Sequence, residues 1–480
     1  MKKLQFFFIA LFSLSGISAQ IDRSIQPKSA PAPLIQLDEP QSFILKNGLT
    51  ILVVENHKLP KVSISLSIDN PPIFEGKLTG ANSLLGSMLD KGSLNIEKNT
   101  FEEEVDFMGA TLSFGSSGAF ASSLSRYFPR VLELMADAAL NPNFLDEEFE
   151  KEKEKLIELI RSSDKDVQAA ARRVGNLITF GEKHPYGEFT SIESVSKLNI
   201  SDVKKYYASN YNPENAYLVV VGDIDFKTVK KQVSALFKNW KGKAPTAYQF
   251  DAAKNSSALD IHFIEMNNAS QSEVSVIFTN EINKKHPDYF SMLLINSILG
   301  GGSQGRLFQN LREDKAFTYG SYSRFQSNKY SRAKLSAFAS VRSSVTDSAV
   351  VELVRELEKI RTEKVTLKEL NAAKAKYLGT YVLAIEKPET IARYAMSIQS
   401  ENLPADFYKT FLQKINKVTV SDILRTAEKH IKLDNARVFV TGKGSDVLKN
   451  LENVAPFGEK LKVSYYNKYG NPIKRPDYLE

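Results

Sequence analysis

Metal ligation and acid–base chemistry need histidines, cysteines or carboxylates in register, and this 480-residue chain is poor in the first two. It has five histidines, His57, His184, His262, His286 and His430, and no cysteine. No two of the histidines are spaced as H-E-x-x-H or H-x-x-E-H, the patterns that set two imidazoles on one helix face beside a glutamate base. His262-Phe-Ile-Glu265 gives half a motif, but it lies in a strand-like run and ends in Met266. It reads as an isolated surface or edge histidine. S-x-x-K occurs at Ser162–Lys165 and Ser194–Lys197 without an S-D-N or K-T-G partner, so it carries no serine-hydrolase signal. The run LGGGSQGR (299–306) precedes a helix and suggests a phosphate loop, but it lacks the G-K-[ST] ending. A tight turn in which backbones approach closely is the better reading.

The elements that would hold such residues belong to an exported globular protein. MKKLQFFFIALFSLSGISAQ opens the chain with two lysines, an apolar stretch from Leu4 to Leu14, and small residues ending at Ala19. This is the layout of a secretory signal peptide over 1–19, cleaved near Ala19. The apolar run is too short for a bilayer span, and no later one is longer. Without cysteine there is no disulfide framework. The formal charge of +7 is spread through interleaved runs such as EEFEKEKEK (147–155), a solvated helix face rather than a nucleic-acid footprint. Periplasmic or otherwise exported localisation follows.

The chain also repeats itself. SKLNISDVKKYYASNYNPENAYLVVVGD (196–223) overlays NKVTVSDILRTAEKHIKLDNARVFVTGK (416–443) without a gap, and EFEKEKEKLI (148–157) overlays ELNAAKAKYL (369–378) at nearly the same offset. Each copy of the longer segment reads as a capped helix, a polar turn and a buried strand ending at glycine. The expected organisation is an extended Pro-rich lead-in (20–42), a first domain (43–243), a linker (244–258), a second domain (259–450) and a C-terminal extension (451–480). Two homologous domains of about 200 residues suit ordinary domain sizes. Strands are expected at 49–55, 62–69, 273–279, 317–325 and 334–341, with helices at 79–91, 127–140, 145–162, 167–179, 287–299 and from 304. Strands grouped with runs of helices point to an α+β fold, each domain a mainly antiparallel sheet with helices packed on one face.

With this repeat, FILKNGLTILVVENHKLPKVSISL (43–66), HPYG (184–187), YNPENAYLVVVGD (211–223) and GGGSQGRLFQNLREDKAFTYG (300–320), in that order, resemble the pitrilysin/insulinase family of zinc metallopeptidases, which includes the mitochondrial processing peptidases. The resemblance covers nearly the whole mature chain. Active members carry H-x-x-E-H on a helix of the first domain, two histidines as zinc ligands and the glutamate as base on the metal-bound water. Anchored on MLDKGS (88–93), the ligand positions here are Ser83 and Ser87 and the base position is Gly86. A neutral hydroxyl is a poor zinc ligand, and glycine cannot take a proton. The resemblance implies a distant glutamate ligand near the acidic helix at 148–158, with Glu158 a loose candidate. No zinc is expected to be bound by this chain.

The resemblance also implies an arginine and a tyrosine seven residues apart in the second domain, reaching across to bind the substrate backbone and the developing oxyanion. LREDKAFTY (311–319) supplies Arg312 and Tyr319 at that spacing, and both are fixed donors suited to an oxyanion. The expected function is therefore a non-catalytic, substrate-binding subunit of a heterodimeric zinc peptidase. Its partner would be a companion chain of similar fold with the zinc motif and the zinc, and its substrate an unfolded peptide. The alternatives are a peptide-binding or scaffold protein with no part in catalysis, and an active enzyme with an unrecognised metal site.

Overall fold

In the computed structural model, residues 40–478 are described. Residues 1–39, on which the expected signal peptide and most of the lead-in fall, lie outside the described residues. Two six-stranded sheets carry the fold. The first contains β1 (Gln41–Ile44), β2 (Thr50–Glu55), β3 (Lys61–Ile68), β4 (Thr111–Gly115), β5 (Gly118–Leu124) and β6 (Ala216–Gly222), in the order β1-β2-β6-β3-β5-β4. The second contains β7 (Asp260–Glu265), β8 (Gln271–Asn280), β9 (Thr318–Gln326), β10 (Ala333–Arg342), β11 (Arg437–Gly442) and β12 (Val463–Tyr466), in the order β12-β7-β11-β8-β10-β9. Strands β2 to β6 match β7 to β11 one for one. Only β2–β6, β7–β11 and β7–β12 pair in parallel, so both sheets are mainly antiparallel, as expected of the α+β fold.

Each sheet forms because its strands alternate. In β3, KVSISLSI, Val62, Ile64, Leu66 and Ile68 are buried and the serines between them are less so. That buried face joins Phe128, Leu132 and Met135 of helix Phe128–Leu140 and Val229, Val233 and Phe237 of helix Phe226–Phe237 in one core. The overlaid helices Ile200–Asn210 and Val420–His430 both start with a capping box, Asn199 with Asp202 and Thr419 with Asp422. The reciprocal bonds satisfy backbone donors that a helix start leaves free.

Helices on one face turn out to be half of the arrangement. Helix Val167–Phe180 leaves the first half and packs on β8 and β11 of the second sheet, where Val174 meets Ile264, Ile277 and Phe439. Helix Pro388–Ser400, its copy in the repeat, packs on β2 and β6 of the first sheet. Each sheet thus has its own helices on one face and a helix of the other half on the second.

Three further features depart from the sequence expectation. The end of the lead-in forms β1, an edge strand against β2. Residues 244–258 contain no helix or strand, yet they are packed: Tyr248 stacks on Phe74 at 5.1 Å and Phe250 meets His184 edge-on at 4.3 Å. The C-terminal extension contributes β12 to the second sheet, and beyond it Tyr469 donates to Asp164 Oδ2 at 2.5 Å, tying the tail to the first half. Among the described residues, no helix is long and apolar enough to cross a membrane.

Candidate functional site

The segment GANSLLGSMLDKGS forms helix Ala81–Met88, with Ala81, Leu84, Leu85 and Met88 on its buried face. Ser83 is exposed, and Gly86 and Ser87 are partly so. The Ser87 hydroxyl donates to the Ser83 carbonyl at 3.4 Å, an ordinary bond within a helix. Gly86 faces the turn between β4 and β5. A Cβ there would lie 3.2 Å from the Ser116 amide nitrogen and 3.6 Å from the Gly115 Cα. A side chain at 86 would be tight against the backbone of that turn by a few tenths of an ångström. Glu158 is exposed and pairs with Arg161 on its own helix, Asp146–Ser163. The carboxylate that this helix does bury is Glu152, bridged by Lys91 of the MLDKGS segment at 3.3 Å and Lys155 at 2.8 Å. Two hydroxyls, a glycine packed on backbone and a carboxylate neutralised by lysines do not fit zinc.

The start of this helix is held by two carboxylates. Glu75 accepts from the backbone N–H of Gly80 at 2.5 Å and of Asn82 at 3.2 Å. Glu188, directly after HPYG, accepts from the N–H of Glu75 (2.9 Å) and Gly76 (2.6 Å) and from the Thr79 hydroxyl (2.7 Å). Burial pushes Glu75 up to about 7; the Gly80 N–H opposes the rise and the nearby Glu188 charge adds to it. His184 of the same motif is buried among Phe180, Tyr186 and Phe250, and burial lowers its pKa. Its Nδ1 accepts from the Tyr186 N–H at 3.0 Å, and its Nε2 lies 3.3 Å from the Ser331 hydroxyl of the second half. HPYG is therefore a structural joint.

Arg312 and Tyr319 occupy a stretch of irregular backbone. A turn of α-helix at Arg306–Phe308 widens into a π-helical segment, Gln309–Asp314, that carries Arg312. The guanidinium lies over the Phe308 ring at 4.7 Å and 3.5 Å from Glu313, and about half of the side chain is open to solvent. Two residues past the π-segment, Ala316 has a positive φ of 52°. Tyr319 is the second residue of the edge strand β9. Thr318 pairs with Val341 and Ser321 with Ala339, so Tyr319 and Gly320 together face Ser340 in a β-bulge. The Tyr319 ring is 87% exposed. The copy in the first half is regular by contrast: helix Lys98–Phe107 is α-helical, Gly109 takes the positive φ, and β4 pairs with β5 without a bulge. π-Helical turns and bulges concentrate at functional sites, where they re-aim side chains.

The Gly-rich run behaves as a close-approach turn. A Cβ on Gly300 would lie 2.2 Å from the Ser323 amide nitrogen, so only glycine lets this helix end against β9. Lys376 donates to the Gly301 carbonyl from helix Leu367–Ile385.

Sequence spacing had separated the histidines, but the fold brings two of them together. His286, Asp288 and His430 place potential ligand atoms within 4.8 Å of one another. Asp288 is already bonded by Arg425 at 2.9 Å, His430 Nε2 at 2.9 Å and Lys429 at 3.4 Å, and its pKa is lowered despite burial. Two fixed cations on the only carboxylate repel a divalent ion, so the cluster reads as an ion-pair network. His262 is neither on the surface nor at an edge. Strand β12 covers β7, and His262 stacks on Phe439 at 5.1 Å with its Nδ1 3.2 Å from the Tyr466 hydroxyl.

Comparison with known proteins bears on the family and the fold. Residues 50–183 match the profile "Insulinase (Peptidase family M16)", and residues 197–377 match "Peptidase M16 inactive domain". An uncharacterised zinc protease YmxG of Bacillus subtilis is 21% identical over 80% of this chain and 93% of its own length. A non-peptidase homolog YmxG of Helicobacter pylori is 22% identical over 80% of this chain and 90% of its own length. The first half of the periplasmic protease PqqL of Escherichia coli superposes with a TM-score of 0.70 at 17% identity, over 93% of this chain and 99% of that one.

Proposed function

We propose that this chain, which belongs to the insulinase (M16 peptidase) family, is the non-catalytic, substrate-binding subunit of a two-chain zinc peptidase outside the cytoplasm. One observation carries the reading: the two copies of the same fold have diverged in opposite directions. In the first, every motif position is a hydroxyl or a glycine that lies against the backbone of the 115–118 turn. In the second, the π-segment and the bulge aim Arg312 and Tyr319 outward, and the first copy has neither irregularity. A purely structural tyrosine would sit in packing, whereas Tyr319 is open to solvent and Arg312 is half open.

The chemistry assigned to them is donation. The Arg312 guanidinium offers fixed N–H groups and the Tyr319 phenol one O–H, both suited to a peptide carbonyl as it gains negative charge. Neither group takes up a proton, so the base and the metal are assigned to a companion M16 chain. The substrate class is an unfolded peptide. The N-terminal leader read from the sequence and the periplasmic PqqL structure support export.

The test is reconstitution with a companion chain that carries H-x-x-E-H. Loss of one oxyanion donor costs about 10²–10³ in kcat in well-studied hydrolases. Arg312→Ala should lower kcat of the complex within that range while assembly is kept, and Tyr319→Phe by a smaller factor. Unchanged cleavage by both variants would leave the chain a scaffold.

A further inference from the structure

A cavity of about 760 Å³ opens between the start of helix Tyr289–Gly300, the 402–407 turn and helices Phe411–Lys417 and Val420–His430. Its floor is apolar, with Phe290, Leu403, Phe407 and Val418. Its rim is basic. Lys285, Lys414 and Lys417 line it, and none of the three has a carboxylate partner among the described residues. The other lining cations are already paired, Lys284 with Glu401 at 2.5 Å and Arg425 with Asp288 at 2.9 Å. The one lining carboxylate, Asp422, is engaged by the Thr419 N–H and hydroxyl and lies 3.6 Å from Arg425. The Lys414 ammonium lies over two rings of the floor, 5.6 Å from Phe290 and 5.5 Å from Phe407. It is held above the cavity rather than free in solvent.

These features define the chemistry of an occupant. Three unbalanced ammonium groups above an aromatic floor require negative charge together with an apolar side chain. The volume suits several residues of a peptide. The free cations are lysines, point charges spread along a rim, with no free arginine fork to hold a phosphate; that pattern matches carboxylates spaced along a chain. The cavity also lies away from the Arg312/Tyr319 end of the sheet. It adjoins the segment after Asn280, at the end of β8 where Ala333 pairs, while Tyr319 lies at the Val341 end. The ten residues of β8, at about 3.3 Å each, separate the two ends by roughly 30 Å.

We propose that this cavity docks an acidic, aromatic- or leucine-bearing segment of a partner protein. The site stands whether or not Arg312 takes part in catalysis. The test uses the mature full chain and a fluorescein-labelled peptide alternating glutamate with phenylalanine and leucine, followed by fluorescence anisotropy. Binding should weaken at least tenfold between low and physiological salt, and the lysine counterpart of the peptide should not bind. The exposed-rim variant Lys285→Glu/Lys417→Glu, with an unchanged melting temperature, should bind at least tenfold more weakly, and Arg312→Ala should bind as the parent chain does. Equal binding of both peptides, or affinity indifferent to the charge reversal, would overturn the proposal. So would loss of peptide binding on Arg312→Ala alone, or displacement of the peptide by an equimolar amount of inorganic tripolyphosphate.

Discussion

Glu75 makes the start of helix Ala81–Met88 sensitive to pH, in a direction opposite to most carboxylates. Its folded-state pKa of about 7 lies above its ordinary 4.5, so the folded chain holds the proton more tightly. Between those values the folded state binds more protons than the unfolded one, and stability falls as pH rises. The loss is complete above about pH 7 and absent below 4.5. At about 1.4 kcal/mol per pH unit it reaches a ceiling of about 3 kcal/mol. Glu75 is half-buried and water screens it, which brings the working figure to roughly 2 kcal/mol. Glu75→Gln removes the charge. Its amide oxygen can accept from Gly80 or Asn82 but not both, at a cost of about 1 kcal/mol for the lost bond. The variant should therefore be about 1 kcal/mol less stable than the parent at pH 5 and about 1 kcal/mol more stable at pH 8. Trp240, the chain's single tryptophan, is buried in the same core and reports unfolding in urea by fluorescence. Buried His184 contributes an opposite trend, losing stability as pH falls through 6.5, but it is common to both proteins and cancels in the difference. A difference that stays flat from pH 5 to 8, or that has the opposite slope, would refute the assignment.

Two other substitutions probe the divergence of the copies. Installing the complete motif, Ser83→His/Gly86→Glu/Ser87→His, should yield no stoichiometric zinc by elemental analysis. It should also lower stability by about 1–3 kcal/mol, because the new side chain at 86 overpacks the 115–118 turn. One zinc per chain with an unchanged melting temperature would contradict the geometry. Ala316→Gly relieves the left-handed backbone between Arg312 and Tyr319 and should raise the urea midpoint by the equivalent of about 0.5–1 kcal/mol, after the entropy of a new glycine is subtracted. A destabilised variant would mean that the strain at 316 is absent.

The parts of this fold that were legible in the sequence are those encoded locally. The alternation of KVSISLSI, the paired helix caps and the Gly222/Gly442 strand ends each depend on residues a few positions apart, and such signals yielded the repeat, β2, β3 and β6 of the first sheet and β8 to β11 of the second, but not β4 and β5. What depended on tertiary placement was not legible. Helix Val167–Phe180 has an ordinary amphipathic pattern that does not say which sheet it covers, and it covers the other half's. His262 read as an edge residue because β12 comes from a tail some two hundred residues later. At the candidate site, identity and spacing supplied Arg312 and Tyr319, but not the π-segment and bulge that aim them. The bulge lies in the pairing with β10, and the π-segment packs on β9 and helix Thr346–Thr362, neighbours that a window around 312 does not contain.

The exchanged helices explain why a half without its motif is retained. If the second half stood alone, the face of β7, β8 and β11 under Val174 would be open, exposing Ile264, Ile277 and Phe439. Each buried side chain of this kind contributes about 1.5–3 kcal/mol, so the loss would rival the whole stability of a typical domain. The first half in turn depends on helix Pro388–Ser400 over β2 and β6. Loss of the ligands at 83 and 87 carries no such penalty, because both positions face outward on a helix whose other side, Leu84, Leu85 and Met88, holds it in the core. Selection could therefore release the motif positions one at a time without releasing the scaffold. On the proposed reading, the chemistry left to this chain lies in the second half, whose backbone departs from regularity beside Arg312 and Tyr319.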